Sequence, residues 1–111
     1  MSLLGPKQKS FYLKTSSLYN KLFVALTSFV CLRASDQVKD MIRKMKLAVN
    51  QFVENNDKIS PNTILIFEKR GNYITIDFSF AINEKIPRYK AKDLFRPLID
   101  NLEAIKSEYL E

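Results

Sequence analysis

The chain has no histidine and no tryptophan, one cysteine, and only two glycines in 111 residues. Each shortage closes off some chemistry. Without histidine and with a single thiol, one chain cannot assemble a zinc site of the usual Cys/His kinds. Histidine-based acid–base catalysis and the histidine-containing triads are excluded for the same reason. Gly5 and Gly71 cannot build a glycine-rich phosphate loop. One cysteine cannot form an intrachain disulfide. Cys31 sits in the apolar run 26–32 with no base to activate it, so it reads as a small buried hydrophobe. Nothing calls for an oxidising compartment, and the expected location is the cytoplasm.

What is present describes an ordinary folded chain. A hydrophobic share of 46% and a charged share of 27% are those of a globular protein, and the length suits one domain over residues 1–111. The formal charge of +6 is uneven: residues 1–50 carry nine bases and two acids, whereas residues 51–111 carry nine bases and ten acids. A basic half points to an anionic partner: nucleic acid, an acidic protein surface or a membrane face. The plain alternative is that the charge serves solubility. The run 22–32 (LFVALTSFVCL) is too short to span a bilayer, which needs roughly 20 residues, so no membrane span is expected.

Residues 1–9, with Gly5-Pro6 and bases, read as a loose arm, and 10–14 as a short strand or a lead-in. From Leu18 the apolar positions 18, 19, 22, 23, 25, 26, 29, 30 and 32 match helical spacing, with an N-cap at Ser16-Ser17. This predicts a central, buried helix over about 17–33. A second helix, capped by Ser35 and carrying Asp36 in its first turn, follows from Val38, Met41, Ile42, Met45, Ala48, Val49 and Phe52 at i, i+3, i+4 spacing. Asn55-Asn56-Asp57 ends it, and Ser60-Pro61-Asn62 is a breaker. Residues 63–69 and 73–83 read as a hairpin turned at Arg70-Gly71-Asn72, its second strand alternating Ile74, Ile76, Phe78, Phe80, Ile82 with Tyr73, Thr75, Asp77, Ser79 and Ala81. The inner partners are either Ile64 and Ile66 or Leu65 and Phe67. A loop over 84–92 leads to a last helix over about 93–110, with Asp93 as its cap and Pro97 able to delay its start. The fold class is thus α+β, in the order (β)ααββα, with three helices over one face of a small antiparallel sheet. A lone hairpin is marginal, so either residues 10–14 add a strand or the sheet edge pairs with a second copy as a homodimer.

Four candidate sites follow. Lys39, Arg43 and Lys46 form one stripe on the second helix, either phosphate-tracking or merely a solvated face. Lys85, Arg88, Lys90, Lys92 and Arg96, with Tyr89 among them, combine bases with an aromatic as single-stranded nucleic-acid sites do. The exposed sheet face, with Tyr73, Thr75, Asp77 and Ser79, offers one aromatic and reads as an ordinary wet face. Asp77 and Glu68, on neighbouring strands, are the only paired-carboxylate candidates, and they read as surface charges.

Residues 74–106 resemble the opening of a histidine-kinase-type ATPase domain: a strand, a proline loop, and a helix bearing Asn101, Leu102 and Ala104-Ile105-Lys106. The second asparagine, which helps hold magnesium in that family, is missing. The sequence therefore reads as a non-enzymatic binding domain without a cofactor, nucleic acid being the favoured partner. A homodimeric protein-interaction or regulatory subunit is the alternative, and a small basic toxin-like ribonuclease comes third.

Overall fold

The computed structural model describes residues 11–32, 34–60, 64–70 and 73–109, and the side chains of 35, 64–67, 69 and 70 are not among those described. The 1–9 arm, Pro61-Asn62, Gly71-Asn72 and Leu110 lie outside that set. The element order is β1 (Tyr12–Leu18), β2 (Lys21–Cys31), a 3-10 turn (Ser35–Gln37), α1 (Val38–Glu54), β3 (Ile64–Arg70), β4 (Tyr73–Ile82) and α2 (Arg88–Ser107). The strands form one antiparallel sheet in the order β1-β2-β4-β3. The α+β class holds, but as ββαββα with two helices.

The expected helix over 17–33 is instead the end of β1, a tight turn and β2. Inward Leu22, Val24, Leu26 and Val30 are buried, while Phe23, Ala25, Thr27 and Phe29 between them face out. Because the outer positions are also apolar, the period-2 signal vanishes into a continuous run, and such a run matches helical spacing as well. Ser16-Ser17 pairs with Phe23 and Leu22 in the ladder rather than capping a helix. Tyr19 and Asn20 make the two-residue turn at φ 54° and 63°, the left-handed pair that a type I′ hairpin requires. Neither is glycine, so the usual hairpin signature is absent. With β1 and β2 in place, the hairpin no longer needs a second copy to complete a sheet.

The helix over the thirties to fifties starts later than its cap signal. Ser35 belongs to the 3-10 turn, and Gln37 is the N-cap, without a side-chain cap bond. The 64–70/73–82 hairpin stands as expected, and its register sets Leu65 opposite Phe78 and Phe67 opposite Ile76. Helix α2 begins at Arg88, after Pro87, so 88–92 is helix rather than loop. Asp93 is therefore no cap, and Pro97 sits within the helix, removing one N–H from its ladder.

Both helices cover one sheet face. Their buried side chains join those of β2 and β4 in a single core, with Phe95 between Phe80 and Phe52 at ring separations of 4.9 and 5.3 Å. The helices are tied at one end by a polar network. Tyr109 donates its hydroxyl to Asp40, and Lys44 Nζ lies 3.0 Å from Glu108 Oε1 and 3.9 Å from Asp40 Oδ2. Lys106 is buried on the apolar face of α2. Its Nζ donates to Ser28 Oγ at 3.2 Å and pairs with Glu103 at 3.1 Å, beside the Phe11 ring. Glu103 also accepts the Phe11 backbone N–H. Cys31, expected to be buried, is only half-buried at the end of β2. Among the described residues no helix is long and apolar enough to cross a membrane.

Candidate nucleic-acid interface

The first turns of α2 and the β1–β2 turn meet at one end of the sheet. Antiparallel pairing sets Leu22 beside Ile82, so the chain leaves β4 next to the turn that opens β2. There Lys21, Lys85 and Arg88 border an open cleft of about 490 Å³ with Ser17, Tyr19 and Asn20. Arg88 Nη2 reaches Ser17 Oγ at 3.4 Å. Glu84 lies in the same cleft and pairs with Lys58 at 3.6 Å. A second cleft of about 470 Å³ continues between β1 and α2, lined by Phe11, Tyr12, Leu13, Lys92, Arg96, Ile99 and Asp100.

Helical spacing explains the alignment. Arg88, Lys92 and Arg96 recur at i, i+4, i+8, about 6 Å apart along the axis, on the flank of α2 facing β1. Tyr89 shares that flank, 73% exposed. Lys90 falls on the other side of the helix. Among the described residues, none of the three aligned cations is in an ion pair. Of the cluster read from sequence, five members are thus brought together along one border and Lys90 is not.

The stripe Lys39, Arg43 and Lys46 lies elsewhere. Helix α1 turns Asp40, Lys44 and Phe52 toward α2, whereas Lys39, Arg43 and Lys46 line a groove on its opposite flank with Val38, Ile42 and Leu47. Arg43 is bonded to Asp40. The two basic clusters therefore occupy opposite flanks of the helical layer and form no continuous surface.

Lys21 and Tyr19 were missed as site residues by the sequence reading, which set Tyr19 among the apolar positions of a helix and Lys21 on its narrow polar face. Tyr19 is 93% exposed. The signal that could have exposed it is Asn20, a residue tolerant of the left-handed region, three residues after a Ser-Ser pair. Asp77 and Glu68 both take outer-face positions, opposite Ile66 and Thr75, and Asp77 accepts a bond from Thr27 at 3.1 Å. Among the described residues no group of three His, Cys, Asp or Glu side chains gathers as a metal site. Asn101 lies exposed on α2. No known family model matches the chain, and comparisons with curated proteins and with solved structures find no match either.

Proposed function

We propose that this chain is a non-enzymatic domain that binds single-stranded nucleic acid along the β1–α2 flank. The supporting observation is the row Arg88, Lys92, Arg96, flanked by Lys21 and Lys85, with exposed tyrosines beside it: Tyr19 at 93% and Tyr89 at 73%. Cations aligned on a helix neutralise phosphates, while the rings stack bases whatever the sequence. Tyr19 adds weight because a bulky aromatic at φ 54° carries backbone strain that glycine would not, and strain concentrates at functional positions. The proposed compartment is the cytoplasm, in keeping with a lone cysteine that needs no oxidising environment.

The test is fluorescence anisotropy with mixed-sequence single-stranded RNA and DNA oligonucleotides across a salt series. Binding should weaken steeply with salt. The triple variant Arg88→Ala, Lys92→Ala, Arg96→Ala should flatten the log–log slope by about 2, at roughly 0.7 per contact. The matching triple at Lys39, Arg43 and Lys46 should leave binding unchanged. Absence of binding at about 50 mM salt would remove the proposal.

A further inference from the structure

The sheet face turned away from the helices is independent of the nucleic-acid flank. On it Phe29 is 61% and Tyr73 67% exposed. Phe23 and Ala25 lie half-buried further along the same face of β2, beyond the Thr27–Asp77 pair. The register sets Tyr12 opposite Thr27 and Tyr73 opposite Cys31, so the aromatics run as a band across three strands rather than as scattered single residues. A contiguous exposed apolar patch marks an interaction surface, and aromatics are enriched in the cores of interfaces.

We propose that this face is an interface with a second copy of the chain, packed sheet on sheet. Two observations select that occupant. The first is size: four strands about 4.8 Å apart and about nine residues long give a plane of roughly 600 Å². Side-chain relief brings that toward the ~800 Å² each partner buries in a standard interface. A flat sheet is met best by another flat sheet, about 10 Å away. The second is the placement of charge. Lys14 is exposed on β1, while Glu68 and Asp77 occupy outer-face positions on β3 and β4. A two-fold axis running along the strands between β2 and β4 lays each copy's β1 over the other's β3. Lys14 of each copy then lies over the near end of the other's β3, with Asp77 one strand away, while Glu68 and Arg70 take the far end of that strand. The stripes that carry much of the positive charge, on α1 and α2, point elsewhere, so two copies can approach through this face.

Sedimentation velocity on the full chain from about 5 to about 500 µM tests the proposal. The expected result is a concentration-dependent rise from 12.9 kDa to twice that mass. Phe29→Asp, at an exposed position, should weaken association at least about 30-fold while circular dichroism stays unchanged. Tyr73→Ser is the second variant should the first fail to fold. Lys14→Glu should weaken the dimer, and adding Asp77→Lys should restore it. A particle that stays at 12.9 kDa throughout overturns the proposal, and so does a dimer that Phe29→Asp leaves intact. Oligonucleotide binding by the Phe29→Asp variant should match that of the parent chain, which separates failure here from failure of the nucleic-acid reading.

Discussion

Lys106 is a cation at a position where the helix pattern asks for an apolar side chain. It stands there because Ser28, a polar residue on the inner face of β2, lies directly beneath it and Glu103 one turn away supplies the opposite charge. Each of these residues alone breaks a local rule, and together they satisfy one another. Removing one partner of a buried pair leaves the other uncompensated. Lys106→Ala should therefore lower unfolding free energy by about 3 kcal/mol, read by urea denaturation. Lys106→Met with Glu103→Gln, which removes both charges and keeps the stem, should recover much of that loss. Tyr19 is the second residue under local conflict. Tyr19→Gly should relieve the left-handed strain and raise stability by about 0.5–1 kcal/mol. The same change should weaken oligonucleotide binding, so stability and affinity move in opposite directions at one site.

At the scale of elements, α1 and β4 were legible because one face of each is apolar and the other polar. Val38 to Phe52 repeats at helical spacing, and Ile74 to Ile82 alternates against Tyr73, Thr75 and Asp77. β2 was not legible, because both of its faces carry apolar residues and periodicity cannot choose between a buried helix and a strand. The start of α2 was placed too late because Asp93 offered a cap and residues 84–92 around Pro87 read as a loop, whereas the helix begins directly after Pro87 and runs through Pro97. The α1–α2 tie gives a pH signature. The Tyr109 hydroxyl, and after it Arg43, hold Asp40 below its ordinary value of 3.8. Burial, and then the bond to Asp40, push Tyr109 above its ordinary 10.0. A lowered acid contributes stability above its unfolded value and loses it as pH falls through the folded one. A raised tyrosine contributes below its unfolded value and loses it as pH rises through the folded one. The stability difference between the parent chain and Tyr109→Phe should therefore be full between pH 3.8 and 10.0 and shrink on both sides, as denaturant titrations at several pH values would register.

At the scale of the molecule, amino-acid content alone determined what the chain lacks: histidine, a second thiol and glycine-rich loops. Those shortages hold in any fold. The amphipathic pattern also determined α1, the β3–β4 hairpin and the α+β class, since one-sided hydrophobicity forces one-sided burial. Only the tertiary structure decided the rest. Lys21 joins Arg88 because antiparallel pairing folds the β1–β2 turn back beside the exit of β4, an approach across more than sixty positions of sequence. The two basic stripes separate because helix α1 presents Lys44 and Phe52 to α2 and so turns Lys39 and Lys46 away. Local spacing fixes which side chains share a helix face. Which way that face points is set by how helix and sheet bury their apolar sides together, and that depends on contacts between residues far apart in the chain.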